Sequence, residues 1–563
     1  MSRDYHYHRR SGSDPAHAYY DHHPQSPPAV HHSRLRPDKE QDAYMMTVPP
    51  RSAHTGSTTV EDDTPSVIHS VEIHPQYRGV KAVYYHPVIQ VILLGFVCFM
   101  CPGLFNALNG LGGGGMVEPS TSANANSTLY ATFAVAAFFA GSINNVLGSR
   151  LTLLIGTTGY ALYISSYLAD KIHDKSGPFV LAAGAYLGIS AGLLWTAQGS
   201  LMLAYPTEDQ KGMFIGIFWS IFNLGGVVGA AVSFGNNFDN TTNSVTTGTY
   251  IGFIVLTGIG VLIPLLMANP AKMIRSDGTK VVPPRHPSWK SELYGLYLTL
   301  RTDPWIVLLF PMFFASNWFY TWQFNDYNGA LFTIRARALN NLIYWLSQIV
   351  GSVSIGFLLD QRGLSRRFRA FSGWIVLMIM VFVVHTWAYF YQKGYTRETI
   401  AHKIDIHEKA YPSHLWLYIA CGLLDSMWQT TAYWFMGAMS NDPAKLANFS
   451  GFYKSLQSAG AAGVWRADAV KLPFMNIFIS TWVLLVAGLI FALPMIHMRV
   501  KDTTDDADET RAALAIDLIL SPPLCGIALG LLVSSFLIAV EYANQLYMRS
   551  RNIATTPPII NSP

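Results

Sequence analysis

Twelve times between residues 88 and 497 the chain runs for about 20 residues with almost no charge, a length that matches the hydrocarbon core of a bilayer. The runs fall at 88–108, 128–148, 151–169, 178–204, 212–234, 249–268, 304–324, 340–359, 371–391, 414–438, 447–465 and 474–497. Backbone polar groups inside lipid have to be satisfied within the segment, so such runs fold as helices. Only 13% of the 563 residues are charged, against about 25% in soluble domains, which leaves too little polar surface for a water-soluble globule of this size. The sequence therefore predicts an all-α membrane protein of about twelve transmembrane helices. A further apolar run at 518–540, after the acidic stretch Asp502–Glu509, would add a thirteenth.

Five segments follow. Residues 1–75 hold 10 of the 18 histidines among Pro, Ser and Asp, with no sustained apolar period, and read as a disordered cytoplasmic tail. Residues 76–268 form a first six-helix bundle, 269–303 a basic central loop, and 304–500 a second bundle. Residues 501–563 carry the acidic linker, the last apolar run and a tail. With the N-terminus in the cytoplasm, inside loops hold about 17 Lys and Arg and outside loops about 10, the bias expected of cytoplasmic loops. The sequons at Asn126 and Asn240 then fall in outside loops as glycosylation candidates, and the one at Asn448 falls inside. Cys98, Cys101, Cys421 and Cys525 all lie in apolar stretches; the C-x-x-C reads as two small buried hydrophobes, and no metal or cofactor is expected. The net charge of +4 gives no reason to expect a nucleic-acid partner.

The two halves repeat a turn. After the second run the chain reads GSINNVLGSR, with Gly141, Asn145, Gly148 and Arg150; after the eighth it reads GFLLDQRGLSRR, with Gly356, Asp360, Gly363, Arg366 and Arg367. In each the glycines stand seven apart, with an Asn or Asp four after the first. The first glycine suits close helix approach, and an acid at a helix end suits pairing with Arg or with a helix N-terminus of the same bundle. These residues are read as a cytoplasmic gate, the alternative being an ordinary positive-inside turn.

Ionisable groups inside a membrane are costly and mark interiors or pathways. Asp425, in CGLLDSMWQTTAYW, and Lys454, in GFYKSLQSAG, sit within the tenth and eleventh runs and suit pairing, as a structural bridge, a proton or ion relay, or a gate. Asn106, Asn109, Gln198, Asn223, Asn317, Gln323 and Gln348 are polar groups at or inside runs. They suit either solute recognition or stapling of helices, with Asn223, Asn317, Gln198 and Gln348 taken as candidates beside Asp425 and Lys454. Arg335 and Arg337 would attract an anion or anchor an interface. Gly184, Gly188 and Gly192 predict a close helix contact. No P-loop, H-E-x-x-H or nucleophile–base pair is present, so no catalytic residue is assigned and an enzyme is not expected.

The repeated turn resembles the cytoplasmic signature of the major facilitator superfamily, with Asn145 where the family has Asp. WTAQG (Trp195–Gly199) resembles its R-x-x-Q-G with Trp195 in place of arginine, and that change argues against simple proton antiport. More specifically, YRGVKAVYYHPVIQV from Tyr77, FNALNGLGGGG (Phe105–Gly115) and AYPTEDQKG (Ala204–Gly212) resemble the Unc-ninety-three-like family, in its fungal branch. So do FWSIFNLGGVVG (Phe218–Gly229), ASNWFYTWQFNDYNG (Ala315–Gly329) and RARALNNLIYWLSQIVGS (Arg335–Ser352). The likeness covers roughly residues 76 to 500. It implies a major facilitator fold of two pseudo-symmetric six-helix bundles in a plasma or endomembrane. The function expected is a carrier of an unidentified small molecule or ion working by alternating access, the alternative being a non-transporting scaffold that regulates or escorts a channel or other membrane protein.

Overall fold

The computed structural model describes residues 77–112, 119–173, 176–238, 246–281, 289–400 and 402–502. The N-terminal tail, Asn240, Cys525, the acidic linker and the 518–540 run lie outside the described residues. Twelve helical rods occupy the predicted runs: α1 (Pro87–Asn109), α2 (Pro119–Leu147), α3 (Ser149–Ile172), α4 (Gly177–Ala204), α5 (Lys211–Asn237), α6 (Thr247–Leu266), α7 (Pro304–Gly329), α8 (Ile334–Leu359), α9 (Arg366–Gln392), α10 (Tyr411–Met439), α11 (Pro443–Ala469) and α12 (Phe474–Arg499). Eight of these are long and apolar enough to cross a membrane. A ninth follows if α7 is taken with the helix Tyr294–Thr302, from which it bends by 86°. Of the remainder, α10 and α11 are more polar because they are internal: every residue of α10 from Leu424 to Met439 is buried.

Local chemistry sets the helix starts. Pro87, Pro178 and Pro412 stand in first turns, where the missing N–H would have no helical partner. Thr333 and Ser365 cap α8 and α9 through Ala336 N and Phe368 N. Gly148 and Gly363 adopt φ of 78° and 88°, so each repeated turn needs its second glycine to pass through left-handed backbone. Pro102 lies in a π-helical segment of α1, Phe99–Gly103, and α7 ends in a second one, Trp322–Gly329. Such bulges commonly sit beside functional sites.

The halves meet along two equivalent seams: α2 packs on α11, and α5 on α8. A Cβ on Gly141 would come within 2.7 Å of Asn448 Oδ1, and one on Gly356 within 3.1 Å of Gly212 O. The first glycine of each repeated turn therefore lets its helix approach the start of a helix in the other half. Gly184, Gly188 and Gly192 press α4 onto α2, where an added Cβ on Gly188 would lie 2.1 Å from Leu129 O. Exposed apolar side chains such as Ile375, Ile379, Phe382, Val383 and Phe390 run along one face of α9, as lipid contact requires. Cys98, Cys101 and Cys421 are buried and free.

Three expectations change. The stretch before residue 128 is not a loop: α2 begins at Pro119, its hydroxyls turning back onto the helix (Thr128 to Asn124 O, Thr132 to Thr128 O). Asn126 is therefore fully buried in α2, donating to Asn109 Oδ1 (3.3 Å) and accepting from Tyr163 OH (3.1 Å), and is no glycan acceptor in the folded chain. The central loop also contains structure, an amphipathic helix at Trp289–Thr302 that runs up to Asp303. Asp303 is held by Arg499 (2.9 Å) and Lys445 (3.1 Å).

Candidate functional site

Between the halves lies a narrow space of about 50 Å³ lined from both: Asn106 on α1, Trp195 on α4 and Trp219 on α5 face Asn317 on α7, Gln429 on α10 and Lys454 on α11. Aromatic rings make up much of the remaining wall, including Phe105, Tyr130, Tyr160 and Tyr320. A few polar groups set on apolar walls are the make-up of small-molecule sites.

Asp425 and Lys454 do not pair directly. Asp425 Oδ1 accepts from Gln429 Nε2 (2.9 Å), and its Oδ2 accepts from Gln348 Nε2 (2.6 Å) and Tyr344 OH (3.0 Å). Lys454 Nζ donates to Gln457 Oε1 (2.8 Å), and Gln457 Nε2 donates to Gln429 Oε1 (3.1 Å). Acid and base are thus joined through two glutamine amides, Asp425–Gln429–Gln457–Lys454. The ammonium sits over Trp195 (4.5 Å to the ring centroid), Tyr453 (4.8 Å) and Tyr433 (5.4 Å), where ring quadrupoles favour a cation. The position where the superfamily motif carries arginine thus borders a cation after all, supplied by α11 from the opposite half.

The other candidates divide. Asn317 lines the space with its Oδ1 unpartnered, whereas Asn223 is buried on α5 outside that lining, with neither amide atom hydrogen-bonded. Gln198 accepts from Tyr433 OH (3.3 Å) across the halves, and Gln348 belongs to the Asp425 cluster. Gln323 accepts from Tyr344 OH (2.7 Å).

Each end of the space is closed by cross-half hydrogen bonds. On the side of the Gly148 and Gly363 turns, Asp360 accepts from Gly212 N (3.0 Å) and Met213 N (2.6 Å), capping the N-terminus of α5. The acid thus meets a helix end as expected, but in the opposite half and not its own bundle, because Gly356 brings α8 against α5. Beside it Lys211 reaches the C-terminal end of α10, donating to Gly437 O, Ser440 O (3.1 Å) and Asn441 Oδ1 (2.7 Å). Helix C-terminal carbonyls lack helical partners and carry partial negative charge, which suits a cation. Arg150 donates to Leu265 O (2.6 Å), while Arg367 bonds His497 Nδ1 (2.8 Å) on α12 and Arg366 is buried in the first turn of α9. Asn145 lies in the last turn of α2.

At the far end, which bears the 392–413 loop, the C-terminal end of α1 is covered in the same manner. Arg337 donates to Leu111 O (2.7 Å) and Gly112 O (3.0 Å), Asn341 to Ala107 O (2.7 Å) and Asn328 to Gly110 O (3.0 Å). Arg335 bonds Asp405 (2.6 Å) in that loop. Neither arginine is therefore an open anion attractor; both hold structure.

A family model described as "Ion channel regulatory protein UNC-93" matches residues 114–493. An UNC93-like protein of Schizosaccharomyces pombe is 46% identical over 455 residues, covering 80% of this chain and 90% of that protein. The chain belongs to the UNC-93 family. UNC93-like protein 1 of Arabidopsis thaliana is 39% identical over 424 residues, 75% of this chain and 92% of that one. Among solved structures, the proton:xylose symporter XylE of E. coli, bound to 6-bromo-6-deoxy-D-glucose, superposes with a TM-score of 0.53 at 12% identity, covering 77% of this chain and 99% of that one. The fold of this UNC-93 family member is accordingly that of the major facilitator superfamily.

Gln429, Gln457 and Tyr344 were not singled out from the sequence, yet spacing held the signal for two of them. Gln429 stands four after Asp425 and Gln457 three after Lys454, each on the same helix face as its charge. Lys211 carried no such local sign, since its acceptors lie some 226 residues onward.

Proposed function

We propose that this protein is a secondary carrier that passes a small solute through the space between its halves by alternating access. The carrying observation is the shared lining: one polar, aromatic-walled space draws side chains from both six-helix halves and is closed at each end by a handful of cross-half hydrogen bonds. Bonds to charged groups contribute about 1.5–3 kcal/mol each, weak enough for one end to release while the other holds. The basic bias of the loops supports a cytoplasmic N-terminus, placing the glycine turns and Lys211 in the cytoplasm and Asn240 on the lumenal or extracellular side of a plasma or endomembrane.

The test combines flux with locking. In a background lacking Cys98, Cys101, Cys421 and Cys525, a turn-side pair (Ser200→Cys with Pro443→Cys) or a loop-side pair (Ser127→Cys with Ala462→Cys) is introduced at existing cross-half contacts. Proteoliposomes loaded with a metabolite extract are scanned for solutes that exchange. Oxidation of either pair should stop that exchange and reductant should restore it. The family description supports a second reading, a membrane scaffold for a channel or other membrane protein. Stoichiometric co-purification of one membrane partner, with no solute exchanged, would replace the carrier reading by that one.

A further inference from the structure

Among the described residues, one charged side chain, Lys454, lines the space, and no acidic one does. An ammonium has three N–H donors. Gln457 Oε1 takes one; among the described residues Nζ makes no other hydrogen bond, its remaining neighbours being the ring faces of Trp195, Tyr453 and Tyr433. Trp219 Nε1 is buried in the same wall without a hydrogen-bond partner, its ring 6.2 Å from Tyr433 and 6.4 Å from Trp195, the rings that flank the ammonium. Asp425, the nearby acid, does not line the space and is held by Gln429, Gln348 and Tyr344. What the wall lacks is an acceptor with negative charge. A buried donor left unmet is costly, so an occupant that supplies acceptors there gains more than one that supplies donors.

Resting on the carrier reading of this space, we propose that its occupant is a small organic monocarboxylate with an apolar body. Its carboxylate lies against Lys454 Nζ and Trp219 Nε1, and its body lies against the rings of Phe105, Tyr130 and Phe222. One lysine matches one negative charge, which favours a carboxylate over a dianionic phosphate. The unpartnered Oδ1 of Asn317 gives such a ligand one acceptor for a hydroxyl or amide N–H. A cationic ligand is disfavoured because Lys454 already occupies the aromatic faces that would receive it.

The probe is radiolabelled benzoate, bound to the purified full-length protein and displaced by phenylacetate, benzamide or benzylamine. Saturable benzoate binding displaced by phenylacetate alone is expected. Lys454→Gln should weaken it by about tenfold or more, Trp219→Phe by a smaller factor, and Lys454→Arg should retain it within about threefold, since that variant keeps the charge. Lys454→Arg also separates loss of the charge from failure to fold. Absence of saturable benzoate binding to the wild type, or benzylamine displacing better than phenylacetate, overturns the assignment. Benzoate binding that depends on Lys454 but gives no benzoate flux in proteoliposomes supports the site while refuting transport. Flux of an uncharged solute that Lys454→Gln leaves intact refutes the carboxylate and keeps the carrier.

Discussion

Lys211→Met should tip the protein toward a form open on the side of the glycine turns. Lys211 is 3% exposed and donates to Gly437 O, Ser440 O and Asn441 Oδ1, contacts that exist only while α5 and the end of α10 are together. Methionine keeps most of the stem and removes the ammonium. Charge-assisted bonds contribute about 1.5–3 kcal/mol each, but they are not additive, and burying the ammonium offsets part of the gain. A net loss of about 2–4 kcal/mol is expected, which moves the ratio of turn-side-closed to turn-side-open molecules by roughly 30- to 1,000-fold. Spin labels at Leu151 on α3 and Phe368 on α9, both exposed near the turns, report the separation of the halves by pulsed dipolar spectroscopy. The variant should populate longer distances than wild type, and Arg337→Met, which uncovers the opposite end, should populate shorter ones. Identical distributions in all three proteins would refute the idea that these cations latch the two ends.

Further outcomes follow from single positions. Asn240→Gln should collapse any glycosylated band while Asn126→Gln leaves mobility unchanged, because Asn126 is fully buried in α2. Gly188→Val should lower the thermal stability of the detergent-solubilised protein by about 3 kcal/mol or more, since its Cβ would meet Leu129 O at 2.1 Å, whereas Gly252→Ala, with nothing within 4 Å, should be silent. Burial opposes ionisation of Asp405, but hydrogen bonds from Arg335 and Thr333 outweigh it and pull its carboxyl down to about 2. A depressed folded pKa stabilises above the unfolded value near 4 and loses that contribution as pH falls through about 2. The gap in melting temperature between wild type and Asp405→Asn should therefore be full at pH 5 and close toward pH 2. A gap that widens on acidification would contradict the bridge.

Periodicity and length were enough to place the twelve helices, because lipid leaves the backbone so few options. The start of α2 escaped notice because Ser, Thr and Asn at 120–128 read as polar loop, whereas inside a bundle their side chains bond neighbouring helices and their own carbonyls. Asp425 and Lys454 stood out as charges within apolar runs, but their relation did not. Two amides that look like ordinary polar residues in sequence intervene between them. The partner of Asp360 was legible in kind, a helix N-terminus, but not in place, since only the packing of α8 on α5 selects the opposite half.

The internal position of α10 and α11 bears on how the chain is made. A helix carrying Lys454, Arg466 and Asp468, or one with Asp425 at its middle, gains little by entering lipid alone. During synthesis these two segments should linger at the insertion machinery until they dock on helices already made, α10 on the Tyr344 and Gln348 of α8 and α11 on α2 and α4. Biogenesis of the second half is then a joint event with the first, since α11 finds its main cover in α2 and α4.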